Sequence, residues 1–519
     1  MTINSLENRF NLVDELWIPA AGKGKISLRQ AFADPAIREL GGNPIQKLAI
    51  TKLLLAIAQS AYTPEDNAAL DALTVDDFRK NCLDYIEKWR ERFWLYGETP
   101  FLQMPAIEGL IKRRLATELK SATSKSAKLK AEENARPRPI GLGYYPDMPA
   151  ENNTILSQQQ IPRQLDDSEK ALYLVTLMNF ALSGKRIEKN LDPLTDGFTG
   201  KSVSAKPAPS LGNYVGYLHS HLVGPTLADS LILNLLSLEH IQENSYWTSG
   251  LGTAPWEQMP KGEDCPVARD LKSSYMATLL SLSRFVLLKE NGVFYGEGIQ
   301  YKSHKDGWRE PGMAIRMLDG KVKLIWADPN KRPWRELSAM LSFMDAGITG
   351  GYDCQFLRYG IPPARQRYER IGIWSGGLAV TANAGDQSIK QNNDFIESFV
   401  QFDTAVIGEQ WYGLLKVEMD ALEHLSKTVY TATRGYFKTM NIEDSAFAGQ
   451  ASSLFWQACE KKFQPLLNAC DKPTSLPTVR KSIAQDAMHA FEHYCQKDTA
   501  RQLDAWAKNR PNFIKYLNP

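Results

Sequence analysis

The sequence predicts an α+β protein, in which a large mixed body over residues 1–384 is followed by a C-terminal four-helix bundle over residues 385–519. The chain has 519 residues, more than one hydrophobic core usually organises, so roughly two to four domains are expected. After about residue 384, glycine and proline become rare and long patterns of helical periodicity follow. Before that point helical patterns alternate with turn and hairpin signals, which is typical of a mixed body.

The first helical pattern lies in residues 45–61, IQKLAITKLLLAIAQSA, where apolar residues recur at helical spacing and predict an amphipathic helix. A second helix is predicted through residues 74–96, with Thr74 as its N-cap and aspartates in its first turn. Gly97 and Pro100 are expected to end it.

Residues 112–139 have an unusual composition, with nine Lys and Arg against three Glu and almost no large apolar side chain after Leu119. Such a segment buries little surface, so it is interpreted as a mobile basic loop or a frayed helix. The alternative is a solvated linker without a partner.

The middle of the chain combines a helix, a loop and hairpins. Residues 168–182 predict a helix, and residues 189–213 predict a loop because Gly, Pro, Lys and Ser are frequent there. Residues 275–298 predict a buried helix or strand followed by a turn. Residues 313–328 predict a hairpin that turns at Asp319 and Gly320.

The bundle is predicted from three long helical patterns and one shorter segment, which together give three to four antiparallel helices. These are residues 392–427, 429–440, 452–470 and 478–509.

Composition excludes several protein classes. The net charge of +2 excludes a bulk polycation, so any nucleic-acid binding depends on local patches. The longest apolar run, LADSLILNLLSLEHI, is interrupted by Asp229 and Ser230 and does not reach the roughly 18 residues of a membrane helix. The segment MTINSLENRFNLVDELWIP lacks the layout of a signal peptide. Six cysteines without a CxxC pair argue against a zinc ribbon or a disulfide framework, so a reducing cytoplasm is expected.

Catalytic motifs are equally scarce. His219 and His221 form an HxH pair that suits a metal if it lies on a strand, but no cluster of ligands lies nearby in sequence, so two core or surface histidines are favoured. GFTGKS resembles the end of a P-loop but lacks its first glycine. GxSxG and HExxH are absent. The sequence therefore predicts neither an enzyme nor a metal or cofactor site.

Four glycine-rich loops carry polar tips and neighbouring Lys or Arg: residues 150–160, 196–202, 296–308 and 349–370. In the last of these, Gly350 and Gly351 permit a sharp turn, and Gly360, Pro362 and Pro363 are expected to stop any helix. A short loop over residues 352–356 is therefore predicted, followed by arginines. Surface turns share this composition. Four such loops favour a ligand with a phosphate backbone, since glycine permits close approach and lysine neutralises phosphate.

Five segments follow one another in a recognisable order: FNLVDELWIP (residues 10–19), TPFLQ (99–103), DMPAENNT (147–154), GTAPWE (252–257) and GGYD (350–353). This order resembles the CasA family, the large subunit of the type I-E CRISPR surveillance complex Cascade. The layout spans nearly the whole chain and ends in a helical bundle, but the cysteine-rich insert of some family members is missing here.

The resemblance implies a non-catalytic subunit that recognises the protospacer-adjacent motif (PAM) in duplex DNA and opens the strands for R-loop formation. Guide crRNA, the other Cascade subunits (backbone and small subunits) and a recruited helicase-nuclease are the implied partners. A guided complex of this kind divides the work, since protein reads the PAM and base pairing reads the remaining sequence.

The resemblance also implies which residues read the PAM. A glycine loop corresponds to Gly197 and Gly200 with Lys201 beside it. A hairpin lysine corresponds to Lys302, with Lys305 as an alternative. The strand-separating wedge corresponds to Gln355, followed by Phe356 where the family commonly has an amide or acid. Phe356 either stacks on a base or packs in the core, and packing is favoured.

Three questions stay open at this level. Gln366 is a rival wedge, because the segment after Gln355 is extended relative to the family. Asn152, Asn153 and Thr154 match a loop that the family directs toward the guide RNA and the backbone subunit, but they also suit an Asx or Thr turn. Alternative functions are a stand-alone DNA-acting nuclease and a scaffold that never contacts DNA.

Overall fold

The computed structural model describes residues 7–140, 165–181, 188, 191–198, 216–302, 308–345, 351–383, 386–388, 394–442 and 446–517. By packing, the chain divides into two compact units. Unit 1 comprises Met1–Pro333, Asp353–Tyr368 and Ile373–Phe399, and unit 2 comprises Trp334–Tyr352, Glu369–Gly372 and Val400–Pro519. The division predicted between residues 384 and 385 stays a prediction, because grouping by packing does not test which segments fold alone.

Helices occur in both units, and strands accompany them in unit 1, which confirms the α+β prediction. The helices are α1 (Leu28–Ala33), α2 (Pro44–Ala61), α3 (Asn67–Ala72), α4 (Val75–Lys88), α5 (Ala106–Ser121), α6 (Lys125–Asn134), α7 (Asp167–Phe180), α8 (Leu227–Leu233), α9 (Leu238–Glu243), α10 (Pro266–Lys272), α11 (Met276–Leu279), α12 (Leu337–Met340), α13 (Gln355–Arg367), α14 (Glu409–Thr439), α15 (Ala446–Ala469), α16 (Leu476–Tyr494), α17 (Ala500–Asn509) and α18 (Ile514–Leu517).

The strands form small sheets. They are β1 (Arg9–Asn11), β2 (Ile18–Ala20), β3 (Gly24–Ile26), β4 (Trp94–Tyr96), β5 (His219–Val223), β6 (Arg284–Lys289), β7 (Gly292–Glu297), β8 (Ile315–Leu318), β9 (Lys321–Leu324), β10 (Arg370–Leu378), β11 (Thr381–Asn383), β12 (Asp386–Ser388) and β13 (Phe395–Asp403). Two-stranded sheets pair β1 with β4, β2 with β3, β6 with β7, β8 with β9 and β11 with β12. A three-stranded sheet has the order β13-β10-β5.

The predicted helix over residues 45–61 is present as α2, but it is not amphipathic. A capping box between Asn43 and Gln46 starts it, with Pro44 in the first turn. Its central residues are buried on every side, including Lys52, because α2 lies inside the core of unit 1. The apolar periodicity therefore predicts the helix correctly, but polar residues of α2 such as Lys52 also have partners in the core.

The helix predicted over residues 74–96 is confirmed at its start and wrong at its end. The Thr74 side chain caps α4 by accepting from the backbone N–H of Asp77. The helix ends at Lys88, and Trp94–Tyr96 forms β4, which pairs antiparallel with β1. Pairing with Arg9 and Asn11, which lie far earlier in the same chain, decides this segment, and local periodicity does not report such a pairing.

Residues 112–139, interpreted as a mobile basic loop or a frayed helix, contain the later part of α5 and the whole of α6, so of these two interpretations the helical one is nearer to the structure. Ile107, Leu110, Ile111 and Arg114 form the buried face of α5, at the i, i+3, i+4 and i+7 spacing that anchors a helix. Ser124 caps α6 by accepting from the backbone N–H of Ala127. Packing of one α5 face therefore outweighs the repulsion among the lysines on the other.

The middle of unit 1 contains two hairpins, β6–β7 and β8–β9. Asp319 and Gly320 have φ values of 51° and 69°, the left-handed conformations that a two-residue hairpin turn requires, so the predicted turn between β8 and β9 is confirmed. Residues 275–298 contain α11 and then the β6–β7 hairpin, so helix and strand both occur in this segment.

In unit 2, α14, α15, α16 and α17 confirm the helical C-terminal region. Residues 395–403, which were predicted as the start of a helix, form β13 instead. Within the helices, Arg480 donates through Nε to the buried carboxylate of Glu418 at 3.1 Å, and Trp334 stacks on Phe463.

Candidate nucleic-acid interface

The segment that opens with GGYD joins a strand pairing to a helix. Asp353 exchanges backbone hydrogen bonds with Ile315 of β8, at 2.7 and 3.0 Å, and α13 begins two residues later. The predicted loop over residues 352–356 is therefore wrong at its end, because Gln355 and Phe356 are the first residues of α13. Their positions are fixed by a pairing on one side and a helix on the other.

The prediction that Gly360, Pro362 and Pro363 stop any helix is also wrong. Both prolines lie inside α13, although each removes one backbone donor. The face of α13 that contains Gly360 packs tightly in unit 1, and a Cβ on Gly360 would collide with the carbonyl oxygen of Leu233. Burial of this face offsets the hydrogen bonds that the prolines remove.

Phe356 packs in the core of unit 1, where its side chain is only 6% exposed. Its backbone N–H donates to the carbonyl of Pro311 at 3.1 Å, and its ring lies against Gly312. Of the two roles that the sequence left open, the ring therefore takes packing. This burial favours packing over stacking on a base, and the assignment of Phe356 as a DNA-contacting residue stays a prediction.

Gln355 is half-buried. Its Oε1 atom is covered and has no hydrogen-bond partner among the described residues. A buried acceptor without a donor costs about 1–3 kcal/mol. Turning the Gln355 amide toward an external donor would therefore break no hydrogen bond between Oε1 and the described residues.

Charged side chains surround the start of α13. Arg358 Nε lies 2.9 Å from Asp353 Oδ1, and Arg309 lies over the ring of Tyr246, 4.7 Å from its centroid. Burial raises the pKa of Asp353, while Arg358 and Arg309 act in the opposite direction. The surface next to Gln355 therefore combines two guanidinium groups with one partly compensating carboxylate.

The β8–β9 hairpin lies beside this surface. The pairings of Arg316 with Lys323 and of Leu318 with Lys321 place three basic side chains on one face of the hairpin. Lys321 and Lys323 are exposed. Because Ile315 of β8 pairs with Asp353, the hairpin that carries these cations is hydrogen-bonded to the segment just before Gln355.

A buried triad of Glu310, Lys52 and His219 lies next to the residues onto which α13 packs. Glu310 Oε1 lies 2.8 Å from Lys52 Nζ and 3.4 Å from His219 Nε2. Burial opposes the charge on Glu310, but Lys52 and His219 outweigh burial and lower its pKa to about 2. Glu310 therefore stays ionised next to Pro311, the residue whose carbonyl receives the N–H of Phe356. Sequence reasoning missed this group, since Glu310 and Lys52 are 258 positions apart.

The two histidines of the HxH pair are structural. His219 lies in the triad and contacts the carbonyl of Tyr217 through Nδ1 at 3.0 Å. His221 lies against Trp374, and burial, together with Lys47 and His219, lowers its pKa to about 3. Among the described residues, three or more His, Cys, Asp or Glu side chains never group as metal ligands would.

Of the remaining predicted site residues, Lys302 is exposed after the end of β7, and Gly197 is exposed with a φ of 71° and open space around its Cα. The buried Glu263 carboxylate anchors the turn before Gly197 by accepting from the backbone N–H groups of Leu194 and Thr195. Glu263 was also missed, because its partners are its neighbours only in the fold.

Lys302, Gly197 and Gln355 share no hydrogen bond in the described part of the chain. Gln366 is exposed near the other end of α13, roughly 16 Å from Gln355 along the helix axis. The two candidate wedges therefore lie at opposite ends of one helix. Gly200, Lys201, Lys305, Asn152, Asn153 and Thr154 lie outside the described residues.

Comparison with known proteins gives a consistent result. The profile of the family described as CRISPR-associated protein Cse1 matches residues 11–496. The CRISPR-associated protein CasA/Cse1 of Thermus thermophilus is 32% identical over 136 residues, a match that covers 24% of this chain and 26% of that protein. That sequence match therefore spans about a quarter of the curated relative's length.

Solved structures resemble nearly the whole chain. A structure of Thermus thermophilus CasA (Cse1) aligns with a TM-score of 0.68 at 19% identity, covering 98% of this chain and 99% of that one. A chain from a structure described as a CRISPR RNA-guided surveillance complex aligns with a TM-score of 0.64 at 16% identity, covering 96% and 98%. At these identities the likeness shows the fold. Among the described residues, none of the helices is long and apolar enough to span a membrane.

Proposed function

The chain belongs to the CRISPR-associated protein Cse1 family, and on that premise we propose that it is the non-catalytic large subunit of a CRISPR RNA-guided surveillance complex, type I-E Cascade. In this role it reads the PAM in duplex DNA and helps to separate the strands for R-loop formation. The family assignment confirms the resemblance found in the sequence.

The observation that carries the PAM-reading role is the environment of Gln355. Its side chain lies at the start of a helix packed on the core, and its Oε1 atom has no donor among the residues that the structure describes. A side chain on a rigid element reads a groove more accurately than one on a loop, because less freedom is lost on binding.

The chemistry of the amide suits a degenerate reader. In the minor groove, A·T and T·A pairs present only acceptors, and G·C pairs add the N2 donor of guanine. A glutamine amide offers both an acceptor and donors, so Gln355 can meet either pattern. Insertion beside the next base pair costs a few kcal/mol, which contacts with phosphate must offset.

Lys302 and Gly197 support the same role. Lys302 is exposed and can neutralise a phosphate, and the left-handed turn at Gly197 has open space in which a nucleic-acid backbone can approach. Gly200 and Lys201 are proposed to extend that turn's contact with DNA. Asn152, Asn153 and Thr154 are proposed to contact the guide RNA or the neighbouring backbone subunit.

The proposal includes partners and a compartment. Guide crRNA, double-stranded target DNA, the backbone and small subunits and a recruited helicase-nuclease are the expected partners, and the expected compartment is the cytoplasm. DNA cleavage is assigned to another protein, either the recruited helicase-nuclease or a nuclease domain on another subunit. The chain's own part is recognition and strand opening.

The test uses the reconstituted complex with Gln355→Ala, Lys302→Ala or Gly197→Asp. Affinity is measured for a PAM-containing duplex and for the same target supplied as a single strand. We expect each variant to bind the duplex more weakly and the single strand as the parent does. If none of the three weakens capture of the duplex, the PAM-reading role is wrong and the scaffold alternative gains.

Gln366→Ala is the matched control, since it removes the same amide from an exposed position on the same helix. A loss of duplex affinity in Gln366→Ala, with none in Gln355→Ala, would transfer the wedge role to Gln366. Incubation of the isolated protein with labelled duplex and Mg²⁺ tests the nuclease alternative. Cleavage without any partner would refute the non-catalytic assignment.

A further inference from the structure

The α5–α6 helical pair carries a cationic surface that no step so far has used. Seven exposed Lys and Arg side chains lie on or just after the two helices, against four acids, the exposed Glu132 and Glu133 and the half-buried Glu108 and Glu118. The cations are Lys112, Arg113, Lys120, Lys125, Lys128, Lys130 and Arg136. A whole-chain net charge of only +2 makes this local excess distinctive.

On α5 the cations share one side. At 100° per residue, Lys112, Arg113 and Lys120 lie on the side of the helix opposite its buried face. The positions between them on that side are Gly109 and Ala116, which are small and exposed. A polyanion can therefore approach the helix closely along this row.

Some cations of this segment form ion pairs that hold the fold together. In the row on α5, which consists of Lys112, Arg113 and Lys120, two of the three cations form no ion pair with a described residue. Arg114 and Arg138 lie within 3.8 and 3.0 Å of the buried carboxylate of Glu188. Lys112 is paired with Glu108 at 3.2 Å. Arg113 and Lys120 have no acidic partner among the described residues. The row thus retains charge that the fold does not need for its own ion pairs.

The α5–α6 pair is fixed to the hairpin that leads to Lys302. Glu108 of α5 accepts from Lys289 of β6 at 2.7 Å, and Arg138 exchanges backbone hydrogen bonds with Val293 of β7. Lys302 follows five residues after the end of β7. The cationic row and the proposed phosphate-contacting lysine therefore belong to one packed group.

The spacing along α5 favours a duplex. Arg113 and Lys120 are about 11 Å apart along the axis at 1.5 Å per residue. That separation is close to the width of the major groove of B-DNA, about 12 Å, so two cations can meet phosphates on opposite sides of the groove. A single strand offers no such pair of ridges.

We propose that the α5–α6 cationic surface binds the sugar–phosphate backbone of the duplex on the PAM side of the target and holds this arm while Gln355 meets the PAM. The inference rests on the proposed function. It adds a second contact with DNA, independent of sequence, which offsets the cost of opening the strands.

The test compares Arg113→Gln/Lys120→Gln/Lys125→Gln with the control Lys80→Gln/Lys88→Gln/Arg92→Gln in the reconstituted complex. The control removes the same charge from exposed positions on and beside α4. Glutamine is a good helix former, and equal melting temperatures and circular dichroism spectra verify folding. Targets carry either a PAM-side arm of roughly 20 bp, about two helical turns, or an arm that ends at the PAM.

On the long-arm target, the salt slope of the α5–α6 variant should fall by about 0.9 for each lost phosphate contact. Three lost contacts would reduce the affinity lost between about 50 and about 200 mM salt by roughly 40-fold. The short-arm target should bind the variant and the parent equally, and the ratio of affinities for correct and altered PAM should not change.

An unchanged slope on the long arm, or an equal change on both arms, overturns the inference. A weaker assembly with guide RNA at unchanged duplex affinity would assign the surface to RNA instead, which also overturns it. Failure of the PAM-reading role has a different signature, since Gln355→Ala would then leave the PAM ratio unaffected on both arms.

Discussion

Removing Lys52 should destabilise the protein far more than removing Lys52 and the charge of Glu310 together. Lys52 and Glu310 are both at most 7% exposed and lie 2.8 Å apart, with His219 3.4 Å from the same carboxylate oxygen. The variant Lys52→Met keeps the length of the side chain but leaves the Glu310 carboxylate in the core without its closest cation. The result concerns the site as well, since Glu310 precedes the carbonyl that holds the start of α13.

Breaking a buried pair by removing one partner typically costs about 3–5 kcal/mol, because the remaining charge is uncompensated. We therefore expect Lys52→Met to lower the free energy of unfolding by about that amount. The double variant Lys52→Met/Glu310→Gln removes both charges and should recover most of the loss. A buried ion pair contributes little net stability once the cost of taking both charges out of water is included.

The same triad predicts how stability depends on pH. Burial opposes the charge on Glu310, but Lys52 and His219 lower its pKa from 4.5 to about 2. A carboxyl group whose pKa falls on folding contributes stability that is fully present above its unfolded pKa and is lost as the pH falls through its folded pKa. The loss should therefore develop from about pH 4.5 down to about pH 2. The difference between the unfolded and folded pKa of Glu310 corresponds to about 3 kcal/mol of stability. This is an upper limit, because burial also lowers the pKa of Lys52 and so opposes its charged form.

Urea unfolding of the parent and both variants, followed by fluorescence at about pH 7 and at several values below about pH 5, measures these changes. Midpoints are compared at unchanged m-values, so that the differences report stability. Two results would refute the reasoning. One is a Lys52→Met variant within about 1 kcal/mol of the parent, and the other is a double variant no more stable than the single one.

Two further substitutions give expected outcomes. Gly360→Ala should destabilise by about 1–3 kcal/mol, because its Cβ would collide with the Leu233 carbonyl. The control Gly413→Ala, in α14 with open space around it, should stabilise by about 1 kcal/mol; urea midpoints measure both, and equal signs would contradict the packing argument. Gln355→Met should raise the stability of the free protein by up to about 1–3 kcal/mol while weakening duplex binding. A variant that loses both stability and binding would show that the amide is structural.

Features of the fold that depend on a few neighbouring residues were predictable from the sequence. Thr74 starts α4 because its hydroxyl reaches an N–H three residues later, and Asp319 and Gly320 turn a hairpin because both accept left-handed conformations. Features that depend on distant partners were not. Trp94–Tyr96 is a strand because β1 pairs with it, and α13 continues past two prolines because one of its faces is buried.

The candidate site divides in the same way. The sequence supplied the residue types and, through the family resemblance, the position of Gln355. It favoured packing for Phe356, which is buried, but it did not report that Glu310 would pair with Lys52, 258 positions away. Amino-acid order indicates which groups can contact a ligand, while burial decides which of them are accessible. Burial depends on contacts that no local window contains.

The residues around Gln355 order the start of α13 during folding, so this ordering costs no free energy when a ligand binds. The β8 pairing, the Pro311 carbonyl and the buried ring of Phe356 hold the start of α13 during folding, before any DNA is present. In the proposed DNA-reading role, little backbone is then left to order on binding, so more of each contact would appear as affinity. The unsatisfied Oε1 of Gln355 works in the same direction, because an external donor restores a hydrogen bond that folding left unmade. A helix-anchored amide with an unmet acceptor among the described residues, next to exposed cations, therefore suits the proposed role of reading the PAM.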